Sequence, residues 1–155
     1  ICPEPELLLL DEPTSGLDPI VRREFIETVI GAYQSGDAGK RTVFVSTHLI
    51  AEFEGLIDEF TIIEQGRELL TMNADAARDR FKMIRARFPR PPAGLDFTGA
   101  LNVRQSGREV EILSDGNSDQ LMNLLKARGP EELRCESLSL EEIFVASKTL
   151  AKAAP

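Results

Sequence analysis

The sequence predicts an α/β fold in its first half, with a parallel sheet and its helices, followed by a small α+β accessory domain. Two observations predict it. Apolar runs of strand length alternate with helix-like segments up to about residue 72, which is typical of parallel strands joined by right-handed crossovers. Beyond that point the alternation gives way to a hairpin pattern flanked by helices. We therefore expect two domains, over residues 1–72 and 73–155.

The first strand is predicted from the uninterrupted apolar run Leu7 to Leu10. Such a run, without polar alternation, is typical of a strand that is covered on both faces in a parallel sheet. Asp18 and Pro19 then form a helix start, because Asp caps the first turn and Pro suits the first helical position. This helix is expected to end near Gly36.

Two further strands and a short return complete the first domain. Thr42 to Ser46 and Phe60 to Ile63 are apolar runs of strand length, and a helix from about Leu49 to Leu56 is expected between them. Gln65-Gly66 then predicts a turn into an antiparallel strand from Arg67 to Thr71. We expect the three runs to lie in one parallel layer.

The second domain is predicted from turn and capping signals. Its expected elements are a helix from Asn73 to Phe81, a strand through Ile84 to Phe88, a loop from Pro89 to Gly94, a hairpin turned at Ser106-Gly107, a helix from Ser118 to Arg128, a strand from Leu133 to Ser137 and a final helix. Ser139 and Glu142 have the spacing of a capping box for that last helix.

Composition excludes several classes of protein. Of 155 residues, 42% are apolar and 28% charged, and the net charge is −8, which is ordinary for a soluble globular protein. Cys2 and Cys135 are too few for a disulfide framework. No apolar run approaches the ~18 residues of a membrane helix, and no signal peptide pattern is present, so a cytosolic location is expected.

Charge is unevenly distributed along the chain. Residues 1–72 carry a net charge of −9, which disfavours direct nucleic-acid binding, whereas residues 73–155 carry +1. One basic cluster lies between residues 78 and 90, and the acidic residues Asp75, just before it, and Asp79, within it, interrupt the basic run. We interpret this cluster as a solvated face and expect no nucleic-acid partner.

The first candidate site lies directly after the first strand, at Asp11 and Glu12. Side chains at the carboxyl ends of parallel strands project into the crevice where α/β sheets bind ligands. A carboxylate there can hold Mg²⁺ through water, and a neighbouring one can orient an attacking water. Four apolar residues followed by Asp-Glu form a Walker B pattern. The alternative interpretation of the same residues is a solvated acidic turn.

The block from Leu7 to Pro19, LLLLDEPTSGLDP, together with His48 after the next strand, closely resembles the nucleotide-binding subunits of ATP-binding cassette (ABC) transporters. The resemblance implies that the first domain is the carboxyl-terminal part of a P-loop NTPase sheet. It covers residues 1 to about 72 strongly. Residues 137–146, SLSLEEIFVA, resemble more weakly the ending of cassette ATPases that power export.

The resemblance also implies roles for individual residues. Asp11 is expected to be the magnesium-side carboxylate, and Glu12 the catalytic carboxylate that positions water against the γ-phosphate of ATP. His48 is expected to be the switch histidine that contacts the same phosphate. The D-loop, which crosses the dimer interface and links the two ATP sites in this family, is expected at Ser15-Gly16-Leu17-Asp18. Asp18 is expected to cap its helix as well.

Two family elements are missing from the sequence. No segment matches the phosphate loop G-x-x-x-x-G-K-[ST]; at the one Gly-Lys pair, Gly39-Lys40, Gln34 stands at the first glycine position and Arg41 at the Ser/Thr position. The LSGGQ-like signature is also absent. We therefore expect the carboxyl-terminal portion of a longer subunit, and an isolated chain that does not hydrolyse ATP.

In the family, the strand before the phosphate loop lies between the strand ending at His48 and the strand from Phe60 to Ile63. Its absence is expected to leave a gap at the centre of the sheet, and unpaired strand edges favour self-association. The intact subunit is expected to use ATP and Mg²⁺, to dimerise with a second ATPase subunit, and to bind a membrane permease at the inner face of the membrane.

Two alternatives remain at this point. The Walker B pattern, D-loop and histidine are shared by cassette ATPases of DNA repair and chromosome maintenance. Those proteins carry long coiled-coil arms, and no heptad run occurs here. The other alternative is a non-catalytic interaction module or a truncated remnant, against which the retention of Asp11, Glu12, Asp18 and His48 argues.

Overall fold

The computed structural model describes residues 5–34, 41–94 and 96–153, and divides into two compact units. The first unit extends to Phe53 and the second begins at Glu54. The expected helix end near Gly36, the Gly39-Lys40 pair and Cys2 lie outside the described residues. None of the described helices is both long enough and apolar enough to span a membrane. The proposed division of the chain at residues 72 and 73 stays a prediction.

The first unit contains a parallel pair of strands and two helices. Its elements are β1 (Leu7–Asp11), α1 (Pro19–Gln34), β2 (Thr42–Ser46) and α2 (Ile50–Phe53). The register of the strands runs from Leu7 opposite Thr42 to Asp11 opposite Ser46, so both strands end at the same edge of the sheet. The predicted bounds of β2 and the predicted parallel pairing are therefore both observed.

The expectation that Leu7 to Leu10 is covered on both faces is wrong for the described chain. Leu8 and Leu10 are half-buried, but Leu7 is 54% and Leu9 67% exposed, and Phe44, which lies opposite Leu9, is 58% exposed. A strand is buried on both faces only when layers cover both. In the described residues β1 has one strand neighbour, and one face of the pair is open.

The second unit begins with an antiparallel hairpin. Its strands are β3 (Glu59–Glu64) and β4 (Arg67–Asn73). The turn lies at Gln65 and Gly66, as predicted, and both residues have the positive φ of left-handed backbone, 51° and 74°. Among the described strands β3 pairs with β4 alone. The expected three-strand parallel layer is thus present only as its β1–β2 pair.

A helix and a four-stranded antiparallel sheet follow. The elements are α3 (Ala74–Arg80), β5 (Phe81–Arg87), β6 (Ala100–Ser106), β7 (Glu109–Asp115), α4 (Ser118–Lys126), β8 (Glu132–Ser137) and α5 (Leu140–Ala153). The strand order is β6-β7-β5-β8. Ser106 pairs with Glu109, so the two turn residues are Gly107 and Arg108, one position later than predicted. Gly107 supplies the positive φ of 57° that this turn needs.

One core cluster of the second unit lies on one face of this sheet, where residues of β5, β7 and α4 pack together with Phe88, which directly follows β5. The buried members of the cluster are Ile84, Ala86, Phe88, Val110, Ile112, Leu121 and Leu125. Alternate residues of a strand share a face, and on the opposite face of β5 Phe81 is buried and Met83 half-buried, whereas Arg85 and Arg87 are exposed. The sheet is therefore covered on its α4 side and exposed at these two arginines on the other side.

The predicted helix caps are present. The Asn73 side chain accepts hydrogen bonds from the backbone N–H groups of Asp75 and Ala76, at 3.0 and 3.1 Å. At the start of α5, the Glu142 backbone N–H donates to Ser139 Oγ at 3.2 Å, and Glu142 Oε2 accepts from the Ser139 backbone N–H at 2.8 Å. Both caps satisfy N–H groups that a helix start leaves unpaired.

Candidate functional site

The candidate site lies where β1 and β2 end side by side. Asp11, the last residue of β1, is opposite Ser46, the last residue of β2. The Glu12 backbone N–H then donates to the Ser46 carbonyl at 2.7 Å, so the backbone contact continues one residue beyond the strand. Parallel pairing therefore brings the residues that follow the two strands to one edge of the sheet.

Glu12 and His48 are in direct contact at this edge. His48 Nδ1 lies 2.8 Å from Glu12 Oε1, and the His48 backbone N–H donates to the same oxygen at 3.1 Å. The Thr47 hydroxyl donates to the other carboxylate oxygen, Oε2, over a longer 3.4 Å. Oε1 is thus held by two donors, while Oε2 has one weak donor and can accept a further hydrogen bond.

The pKa of Glu12 is lowered from its ordinary value, chiefly by the side-chain hydrogen bond from His48. The His48 charge, its backbone N–H and Thr47 act in the same direction, and burial opposes them. Hydrogen bonds that are stronger to the charged form favour it. The carboxylate is therefore ionised at neutral pH and suited to accept a hydrogen bond from water.

The backbone of Glu12 has an uncommon conformation. Its φ is 44°, in the left-handed region that residues with a β-carbon adopt infrequently. Such backbone conformations cluster at functional sites, where the surrounding contacts maintain them. Here the hydrogen bond from the Glu12 N–H to Ser46 and those from His48 to its carboxylate hold both ends of the residue.

Asp11 is exposed at the end of β1, so its carboxylate is accessible. In the part of the chain that the structure describes, no three His, Cys, Asp or Glu side chains are grouped to hold a metal ion. Mg²⁺ commonly takes one or two protein carboxylates and fills its other positions with water and phosphate oxygens. A single accessible carboxylate oxygen donor fits such a role.

The segment after Glu12 is a tight turn that leads into α1. The Ser15 N–H donates to the Glu12 carbonyl at 3.0 Å, and the Leu17 N–H to the Thr14 carbonyl at 3.2 Å. Gly16 has a φ of 77°, and no atom lies within 4 Å of the position that a β-carbon would take. Glycine is needed there for its backbone conformation rather than for space.

Asp18 caps α1 as expected. Its Oδ1 accepts hydrogen bonds from the backbone N–H groups of Ile20 and Val21, at 3.0 and 3.1 Å. Ser15, Gly16 and Asp18 therefore share one ordered turn, and Ser15 and Gly16 are exposed on it. This exposure leaves them available for a contact with another chain.

Sequence reasoning missed two features of this site. Arg22 donates to the Leu17 carbonyl at 3.0 Å and forms an ion pair with Glu52, so it ties the end of the turn to α2. No sequence pattern relates these two side chains, which are far apart in the chain. Thr47 was also missed, although its position between the end of β2 and His48 could have indicated a contact with the neighbouring strand end.

Comparison with known proteins identifies relatives of one kind. A Mycoplasma pneumoniae protein named as an ABC transporter ATP-binding protein is 32% identical over 122 residues, 68% of this chain and 36% of that protein. The bacitracin transport ATP-binding protein BcrA of Bacillus licheniformis is 38% identical over 76 residues, 49% and 24% respectively. A fluoroquinolones export ATP-binding protein of Mycobacterium tuberculosis is 28% identical over 148 residues, 92% and 43% respectively.

The chain spans less than half the length of each of these relatives. No family model matches the chain. The relatives nonetheless agree in kind, and together their alignments extend over nearly all of it. The chain belongs to the family of ABC transporter ATP-binding proteins.

Proposed function

We propose that this chain is the carboxyl-terminal part of the ATP-hydrolysing subunit of an ABC transporter, which couples ATP binding and hydrolysis to transport through a membrane permease. The observation that carries the proposal is the contact of Glu12 with His48 at the ends of two parallel strands. The names of the relatives, which concern bacitracin transport and fluoroquinolone export, support the transport role.

In this proposal Glu12 orients the water that attacks the γ-phosphate of ATP. Its ionised carboxylate accepts a hydrogen bond from water through Oε2, while His48 holds Oε1 in place. His48 is itself exposed and contacts the same phosphate. Positioning of this kind is the main contribution that a protein makes to phosphoryl transfer.

Asp11 is the residue proposed to hold Mg²⁺, through a water molecule. When bound, the ion neutralises charge on the phosphate oxygens. Ser15, Gly16 and Asp18 are proposed to form the D-loop, with the exposed Ser15 and Gly16 facing a second ATPase subunit. The subunit is then cytoplasmic and peripheral to the inner face of the membrane, with residues 1–72 in its ATPase domain and 73–155 as an accessory domain.

The isolated chain is proposed to be inactive. Its 155 residues contain no G-x-x-x-x-G-K-[ST] segment, and backbone amides of such a loop are what wraps the phosphates. The open face of the β1–β2 pair, with Leu9 and Phe44 exposed, supports an origin in a longer polypeptide that covers it. Exposed apolar surface of this kind also favours self-association of the isolated chain.

The test is Glu12→Gln in a full-length subunit that carries this sequence. The amide keeps the size of the side chain but loses the negative charge that accepts from water, so ATP is expected to bind without turnover. Removal of a positioned general base typically lowers the rate by about 10²–10⁴-fold. ATP hydrolysis and retention of labelled ATP are measured together.

Glu24→Gln is the matched control, because Glu24 is exposed on α1, outside the site, and its substitution makes the same change in charge. It is expected to leave hydrolysis unchanged. Full turnover by the Glu12→Gln subunit would contradict the proposed role of Glu12. Turnover by the isolated 155-residue chain that disappears with Glu12→Gln would contradict its proposed inactivity.

A further inference from the structure

Among the strands that the structure describes, β8 forms one edge of the four-stranded sheet and pairs with β5 alone. The Leu138 N–H donates to the Phe81 carbonyl at 3.3 Å, and antiparallel ladders repeat such contacts at every second residue. With the observed register, the even-numbered residues of β8 therefore direct their backbone groups at β5. The backbone N–H and C=O groups of Leu133, Cys135 and Ser137 point away from the sheet.

The two edges of this sheet are not equivalent. The register of β6, at the other edge, is irregular between Ala100 and Asn102, and such irregularities disfavour pairing with another chain. The register of β8 against β5 is regular over all residues from Glu132 to Ser137. A regular edge strand with free backbone groups is a template for a further strand.

The charges on β8 are complementary to themselves. Arg134 and Glu136 are both exposed and lie on the same face, on either side of Cys135. If two copies of β8 pair antiparallel about Cys135, each Arg134 lies opposite Glu136 of the second copy. A centre at Arg134 or at Glu136 would instead place like charges opposite each other, which is unfavourable.

Pairing of the two copies about other residues would include less of β8. Pairing about Leu133 would also oppose unlike charges, Glu132 and Arg134, but only those two and Leu133 of β8 would overlap. Pairing about Cys135 includes the five residues from Leu133 to Ser137. The residues that would hydrogen-bond to the second copy are then Leu133, Cys135 and Ser137, whose backbone groups point away from β5. We propose that β8 is a dimerisation strand, which pairs antiparallel with β8 of a second copy about an axis at Cys135.

One ion pair within the chain, between Arg85 and Glu136, positions a charged side chain of β8. Arg85 Nη1 donates to Glu136 Oε2 at 2.9 Å, which holds the Glu136 carboxylate on the open face of the sheet. In the dimer, Glu136 lies between Arg85 of its own chain and Arg134 of the second copy. The four-stranded sheets of the two copies become one continuous sheet. The proposal concerns the second unit only and does not rest on the ATPase function.

The first test is a cross-link through Cys135. In a Cys2→Ser chain, Cys135 is the remaining cysteine of the sequence. Paired Cα atoms at a hydrogen-bonded position are about 5.5 Å apart, within the ~4.4–6.8 Å that a disulfide spans. Mild oxidation is therefore expected to give a covalent dimer. Alkaline buffer is used because burial raises the pKa of the Cys135 thiol.

The second test changes the charges and measures the dimer dissociation constant by sedimentation under reducing conditions. Arg134→Glu turns two attractive pairs into repulsive ones and is expected to weaken the dimer by about tenfold. Adding Glu136→Arg restores the unlike pairs, and Arg85 then lies opposite a glutamate at position 134. The double variant is therefore expected to recover the affinity. Arg90→Glu, in an exposed loop, is the matched control.

Circular dichroism of each variant checks that the fold is retained. A chain that stays monomeric at all concentrations overturns the proposal, and so does a dissociation constant that Arg134→Glu leaves unchanged. If Leu9→Asp abolishes self-association and Arg134→Glu does not, self-association is assigned to the open face of the first unit. That result would also overturn the proposal for β8.

Discussion

The packing of the second unit leads to a quantitative prediction for Ile84→Ala. Ile84 is fully buried on β5, in the cluster that contains Ile112, Leu121 and Leu125. The substitution removes three carbon groups, at about 0.8 kcal/mol each, or about 2.4 kcal/mol of transfer free energy. The cavity left between the sheet and α4 adds to this, so we expect the free energy of unfolding to fall by about 3–4 kcal/mol.

Urea denaturation followed by circular dichroism measures this loss. Ile63→Ala is the matched control: it makes the same chemical change in the same unit, but Ile63 is 63% exposed on β3. The control is expected to cost less than about 1 kcal/mol, because little apolar surface is uncovered and strand propensity is the main difference. Equal losses for the two variants would show that Ile84 is not in a close-packed core.

Two further predictions concern the site and a helix cap. His48→Ala removes the main cause of the lowered Glu12 pKa, so Glu12 should titrate at a higher pH in carbon-detected NMR; an unchanged titration would show that the contact does not form. Since that pKa lies below the ordinary value, the Glu12–His48 contact contributes stability above the ordinary pKa and loses it as the pH falls through the folded value. Asn73→Ala removes the cap of α3 and should cost about 1 kcal/mol in urea denaturation. Asn102→Ala, on an exposed strand position, should cost much less, and a similar loss for both would contradict the capping role.

The features that the sequence predicted well are local ones. Asn73 bonds to backbone groups two and three residues away, and Ser139 and Glu142 are three residues apart. These caps can be predicted from the sequence because the interacting groups lie within one turn of helix. The bounds of β2 were predictable for a similar reason, as an apolar run bordered by polar residues. The hairpin at Gly107 was displaced by one residue because its register depends on pairing between strands.

The contacts within the candidate site could not be predicted from local sequence patterns. The sequence indicated that Asp11, Glu12 and His48 follow strands, but not that Glu12 and His48 touch. That contact joins residues 36 positions apart, and it depends on the parallel register of β1 and β2. The Arg22–Glu52 ion pair depends in the same way on how α1 and α2 are placed within the first unit.

By itself, the sequence determined the family, most strand and helix positions, and the carboxylates at the end of the first strand. These properties follow from residue type and short spacing, which act over a few residues. Only the tertiary structure decided, for the residues it describes, which face of β1 is open, that β3 pairs with β4, and that β8 lies at the edge of its sheet. Burial and strand pairing depend on what lies beside a segment in space, and neighbouring residues along the chain do not specify this.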